Sequence, residues 1–195
     1  AYISRRGKLG NDASIDWAIG VMNEGNVVAD FDSDLIGNGS HADLKAVALS
    51  SGRQVQGIDT RVTNYGCNSI GNILQHGVIL EKATLTFNGI GHIIKGAKGA
   101  DAQQESRVLM LSDQARSDAN PILLIDENDV TAGHAASIGQ VDPEDMYYLM
   151  SRGLDKATAE RLVVRGFLGS VIVEIPVKEV RDEMIATIEE KLSKR

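Results

Sequence analysis

Four histidines, one cysteine and a run of alternating aspartates are the residues of this chain best able to do chemistry. The histidines are His41, His76, His92 and His134, and no two stand close enough in sequence to form a local metal-ligand pair. A lone Cys67 rules out an internal disulfide and any zinc site built on paired cysteines. Cys67 and His76 have the residue types of a nucleophile and its base, but no orienting acid is evident near them. Asp30, Asp32 and Asp34 lie on one face of an alternating segment and resemble a calcium loop. Leu35 stands where that loop needs glycine, and His41 where it needs glutamate. A solvated strand face is the better reading. Gly37-Asn38-Gly39-Ser40-His41-Ala42 mimics a dinucleotide fingerprint, yet it sits among alternating segments and opens no helix. Gly7-Lys8 is followed by Leu9 instead of the hydroxyl residue that holds magnesium in a phosphate-binding loop. The chain is therefore not expected to hydrolyse ATP alone.

His134 differs from the other three in its setting. It lies in Asp129-Val130-Thr131-Ala132-Gly133-His134-Ala135-Ala136-Ser137-Ile138-Gly139-Gln140, where small neighbours leave an imidazole open to a ligand or another subunit. By spacing alone, a satisfied structural histidine is the better reading. The elements that must position it change character along the chain. Up to about residue 125 the pattern has period two, which means one face buried and one solvated. Ala13, Ile15, Trp17, Ile19 and Val21 alternate with small or polar residues. So do Ala29, Phe31, Ser33 and Leu35, then Ala42, Leu44, Ala46 and Ala48, then Ile58, Thr60 and Val62. Ala83, Leu85 and Phe87 follow, then Ile90, His92 and Ile94. Turn signals fall at 23–26, 37–39, 50–52, 64–66 and at Asn88-Gly89. Aromatics make up only 4% of the chain, so the core must be built from Val, Ile, Leu and Ala. Many short strands joined by glycine turns suit a barrel, sandwich or β-solenoid, and without a strict short repeat a solenoid would have irregular rungs.

The tail turns helical. Asp142 can cap a helix that opens with Pro143, Glu144 and Asp145 and stops at Gly153. A second helix fits Asp155 to Arg165, closed by Gly166. A short apolar strand is expected over Val171–Ile175. Pro176 then starts a last helix with Val177, Val180, Met184, Ile185, Ile188 and Leu192 on one face. That stripe suits packing on the chain's own body, or else a partner. The net charge of −7 argues against a nucleic-acid groove. No apolar run is long enough to span a membrane. A single cysteine fits a reducing, cytoplasmic setting.

Three stretches make the sequence recognisable. The first holds Phe87-Asn88-Gly89, Asp101-Ala102-Gln103-Gln104 and Leu109-Met110-Leu111-Ser112-Asp113-Gln114-Ala115. The second runs from Asn120-Pro121-Ile122-Leu123-Leu124-Ile125 through Asp129-Val130 to His134–Asp142, and the third is Tyr147-Tyr148-Leu149-Met150-Ser151-Arg152-Gly153-Leu154. In order and spacing they resemble the SufB/SufD family of iron–sulfur cluster assembly proteins, most firmly over residues 60–170. The run Gly139-Gln140-Val141-Asp142 is more similar to the SufD branch than to the SufB branch.

The resemblance implies a mainly β fold, a right-handed parallel β-helix over 1–141, truncated at its N-terminus, with a helical region over 142–195. The abrupt start implies the C-terminal half of a longer chain. It also implies a non-catalytic scaffold subunit of a SufBCD complex, paired with SufB and holding the ABC-type ATPase SufC through its C-terminal helices. Sulfur would come indirectly from a donor system. The residues expected to meet the ATPase are Tyr147, Tyr148, Met150, Arg152, Leu162 and Phe167. The family histidine at the SufB–SufD interface falls on His134, where a neutral imidazole suits iron in a transient cluster. No stably bound cofactor is expected. Ala132 stands where some relatives have cysteine, Ala135 where glycine is usual, and Cys67 where proline is common, so no cluster role is carried onto Cys67. Two other readings stay open: a carbohydrate-active β-helix enzyme, and a structural dimer module whose exposed edges pair two isolated copies as a homodimer.

Overall fold

The computed structural model describes residues 1–193. Ten strands come first: β1 (Tyr2–Leu9), β2 (Ser14–Val21), β3 (Val27–Leu35), β4 (His41–Ser50), β5 (Val55–Asn64), β6 (Ile70–Ile79), β7 (Thr84–Ile93), β8 (Asp101–Met110), β9 (Arg116–Ile125) and β10 (Thr131–Gln140). Three helices follow: α1 (Pro143–Ser151), α2 (Lys156–Ile172) and α3 (Lys178–Ser193). Odd strands form one five-stranded sheet in the order β1-β3-β5-β7-β9, and even strands a second in the order β10-β8-β6-β4-β2. Every pairing is parallel, so the chain winds as a β-solenoid of about five turns, each turn giving one strand to each sheet. A turn takes from 26 residues (Tyr2 to Val28) to 32 (Thr84 to Arg116), which is the rung irregularity anticipated from the sequence.

The alternation decides which side chains fill the space between the sheets. Ile19, Ala29, Phe31, Leu44, Ile58, Val62, Ile73, Leu85 and Phe87 are buried there as one cluster. Some interior positions are polar and paired. Trp17 Nε1 donates to Ser33 Oγ (3.0 Å), Gln75 Nε2 to Thr60 Oγ1 (3.1 Å) and Ser106 Oγ to Gln75 Oε1 (2.7 Å), so these buried groups do not carry the cost of a lost partner.

One turn signal is corrected. Asn88-Gly89 lies inside β7, and the strand runs through it, so Gly89, Gly91 and Ile93 are buried while Ile90, His92 and Ile94 face outward. The glycines leave room for the amide of Gln104, whose Oε1 lies 2.8 Å from where a Gly89 Cβ would sit and whose Nε2 lies 2.9 Å from that of Gly91. Asn88 instead joins an outer ladder: Asn120 Nδ2 donates to Asn88 Oδ1 (2.9 Å), and Asn88 Nδ2 donates to Asp59 Oδ1.

The tail differs from its expected layout in two places. α2 does not close at Gly166 but continues to Ile172, and Val171–Ile175 forms no strand. Burial is the reason. Val164, Leu168, Val171 and Ile172 pack with Val47, Leu49, Val78 and Leu80 on the outer face of the even-strand sheet. That contact outweighs roughly 1 kcal/mol per helical glycine. α3 uses Met184, Ile188 and Leu192 in the same cluster, so most of its stripe packs on the chain's own body, while Val177 and Ile185 stay exposed. The helical region expected over 142–195 includes 194–195, which lie outside the described residues.

Turn stacking is tight where successive turns cross. A Cβ on Gly66 would overlap the Gly37 carbonyl, whereas one on Gly57 meets nothing within 4 Å. Gly66→Ala should destabilise the fold by about 1–3 kcal/mol in urea unfolding. Gly57→Ala should leave it within about 0.5 kcal/mol or more stable.

Candidate functional site

The last turn, made of β9 and β10, ends both sheets. Register puts Trp17, Leu44, Ile73, Gln104 and His134 in one column across the even strands. Leu44, Ile73 and Gln104 of that column are buried, so it faces the interior, and His134 stands on its open end, exposed. The column also changes chemistry, from indole and alkyl groups to an amide and an imidazole. Gln104 Nε2 donates to the Ile122 carbonyl (2.8 Å), while its Oε1 is buried without a partner. An open cleft of about 410 Å³ borders this end, lined by Ile73, Gln103, Gln104, Glu105, Gly133 and His134 among others.

The His134 side chain makes no hydrogen bond or ion pair with another described residue. The other three histidines are each placed beside a carboxylate: His41 3.2 Å from Asp43, His76 3.4 Å from Glu105 and His92 3.1 Å from Asp126. Asn72 and His41 hold the Asp43 carboxyl below its ordinary range, against its partial burial. Cys67 lies in the turn between β5 and β6, its Sγ 3.4 Å from the Gly96 carbonyl. Among the described residues, no three His, Cys, Asp or Glu side chains gather to hold a metal ion. One imidazole is a single donor, so an iron centre at His134 would need its remaining donors from elsewhere.

Asp30 and Asp32 project from the outer face of β3, beside Asp59, Arg61, Asn88 and Ile122. Partial burial and the neighbouring Asp30 raise the Asp32 carboxyl. Asp34 is neutralised by Arg6 at 2.8 Å. This is a strand face, not a calcium loop, and the cleft above it has no aromatic side chain in its lining.

The residues expected to meet a partner do not form one patch. Tyr147 (76% exposed), Tyr148 and Met150 project from α1, and Arg152 packs its guanidinium over the Tyr148 ring at 5.0 Å. Asp142 caps α1 by accepting from the Glu144 N–H (2.8 Å), as its sequence implies. A methionine-bearing cleft of about 290 Å³ lies alongside, lined by Met110, Leu111, Val141, Met146, Met150 and Glu160 among others. Leu162 is exposed on α2, but Phe167 stacks on His76, so its ring is engaged within the chain. The periodicity of α2 gave no sign of that contact, because His76 is 91 residues away.

The loop that sets β10 in place is tied by Glu127. Its carboxylate accepts from the N–H groups of Asn128 (2.8 Å) and Gly96 (3.0 Å) and lies 3.6 Å from Lys95 Nζ. Those backbone donors, with help from Lys95, hold its pKa down at about 2. A carboxylate with a depressed folded pKa stabilises above its unfolded value, and that contribution is lost as pH falls through the folded one. Acidification from about pH 5 to 2 should therefore loosen the β9–β10 loop. Glu127→Gln should flatten that part of the acid-induced fall in melting temperature.

No helix among the described residues is long and apolar enough to cross a membrane. The SufBD core domain of the SUF system for FeS cluster assembly matches residues 1–167. Over 192 residues, 98% of this chain, the sequence is 51% identical to the iron–sulfur cluster assembly protein SufD of Bacillus subtilis, 44% of which is covered. An iron–sulfur cluster assembly SufBD family protein of Mycobacterium tuberculosis is 46% identical over 97 residues, 49% of this chain and 24% of that protein. A second, from Mycobacterium leprae, is 29% identical over 178 residues, 90% of this chain and 20% of that protein. The chain thus spans less than half the length of the curated relatives it matches.

Proposed function

The chain belongs to the SufBD family of iron–sulfur cluster assembly proteins, and on that premise we propose that it is a non-catalytic scaffold whose last solenoid turn meets a SufB-type subunit. The observation that carries this reading is the exposed imidazole of His134 at the open end of the inner column. It offers one ligating group, and among the described residues no companion ligands gather beside it. A partner seated on β9 and β10 would supply those ligands, thiolates above all, and iron and sulfide would be shared across the interface as cargo. The imidazole binds as the neutral ring, through whichever nitrogen is deprotonated.

The same reading gives α1 the ATPase. Two exposed tyrosines, an arginine resting on one of them and an adjoining methionine cleft have the composition of an interface hot spot. Phe167 has a separate role, holding α2 to the solenoid. Both sites lie at the C-terminal end of the solenoid, which suits a scaffold that brings a nucleotide-driven subunit close to a growing cluster. The chain itself is proposed to perform no chemistry on ATP.

His134→Ala should fold normally by circular dichroism and abolish maturation of an iron–sulfur reporter enzyme in cells. Normal maturation would reduce the histidine to a surface residue. Tyr147→Ala with Tyr148→Ala should weaken capture of the SufC-type ATPase by about tenfold or more. These point changes are better probes than removal of residues 143–195, which would strip the cover from Val47, Leu49, Val78 and Leu80. Undiminished ATPase capture by the double variant would contradict α1 as the dock.

A further inference from the structure

The even-strand sheet carries a buried histidine that the proposed function does not use. His76 lies in β6 beneath α2, its side chain 6% exposed. Its ring stacks on Phe167, with centroids 4.8 Å apart and planes 19° apart. Nδ1 is 3.2 Å from the Phe167 carbonyl oxygen, and Nε2 is 3.4 Å from Oε1 of Glu105 in β8. The Ser170 hydroxyl, 3.5 Å from Nδ1, donates instead to the same Phe167 carbonyl at 2.8 Å.

A carbonyl and an ionised carboxylate can only accept hydrogen bonds. A neutral imidazole has one N–H. It can satisfy either acceptor, and must then turn a lone pair towards the other. The imidazolium donates to both. The charged groups around the ring pull in both directions. Glu105 favours a charged ring. Arg107, the register partner of His76, opposes it but is itself bound to Glu105 at 2.8 Å. Lys45 of β4 also opposes it, from a position in register with Leu74, and lies 3.9 Å from Asp43. From the helix side, Arg161 and Arg165 are turned to Glu189 of α3, at 2.7 and 3.1 Å.

The geometry points to His76 as a proton-dependent clasp that ties α2 to β8. With both nitrogens protonated, the ring bridges the Phe167 carbonyl and the Glu105 carboxylate. With one proton lost, it holds only one of them. The clasp is therefore closed at lower pH and opens as pH rises. Glu105 also borders the cleft beside His134, so the clasp joins the helices to that end of the solenoid.

Amide hydrogen exchange of residues 165–172, corrected for intrinsic rates and referred to the amides of β7, tests this between about pH 5.5 and 8. Exchange in α2 should quicken roughly tenfold across that range, the loss of about one buried hydrogen bond to a charged group. Glu105→Gln gives a neutral Nε2 a side-chain N–H to accept from, so it should remove the rise and keep α2 protected at the upper pH. His76→Phe retains the stack on Phe167 and should also give a flat profile. A flat profile in the unmodified chain, or the same rise in either variant, would overturn the clasp.

Discussion

A strand in a parallel ladder needs a neighbour on each side, and the whole solenoid is built by meeting that need one turn at a time. Each turn's backbone groups are satisfied by the turn before and the turn after. The interior is filled because the ladder keeps the register, so that Leu44, Ile73 and Gln104 fall in one column over many residues of sequence. The ladder also leaves two ends it cannot serve itself. β1 and β2 at one end, and β9 and β10 at the other, have a strand on one side only, and His134 stands on the β10 edge. An edge of this kind invites pairing with another chain, and it is where the proposed partner would sit.

The helices answer a different constraint. A solenoid sheet has an outer face, and at the far ends of β4 and β6 that face is apolar. α2 and α3 cover it, while α1, which follows β10, adds no residue to that cover and turns its tyrosines outward. His76 sits in the seam between cover and sheet and makes polar contact with both. The two candidate surfaces, the β10 edge and α1, are thus held by separate interactions and joined through β8.

Much of the body could be read from the sequence because period-two alternation is local. The strands with Trp17, Phe31, Leu44 and Ile58 turned inward are found as the pattern places them. Asn88-Gly89 is a local turn signal that the ladder overrides: β7 runs through it, and Gln104 packs over the space that Gly89 leaves. The runs Ala46-Val47-Ala48-Leu49 and Gly77-Val78-Ile79-Leu80 break the alternation because both faces of the sheet are buried there, and that break is the sequence's own trace of the helical cover. The local pattern cuts α2 short because Gly166 reads as a helix stop and the short, mostly apolar Val171–Ile175 fits a strand or a helix equally well; tertiary burial decides between them. The small neighbours of His134 already mark its imidazole as open, but its place at the end of the inner column needs the register of β8 and β10 to be seen. The His76–Phe167 contact, which no local pattern encodes, had to come from the fold.

On the proposed function, the last turn is where another chain completes this solenoid. Hydrogen exchange of the chain, alone and mixed with a SufB-type subunit, tests it most directly. New protection should concentrate in Arg116–Ile125 and Thr131–Gln140, with the amide of His134 among the groups that slow most. Protection that falls on the outer faces or the helices, with β9 and β10 unchanged, would contradict it.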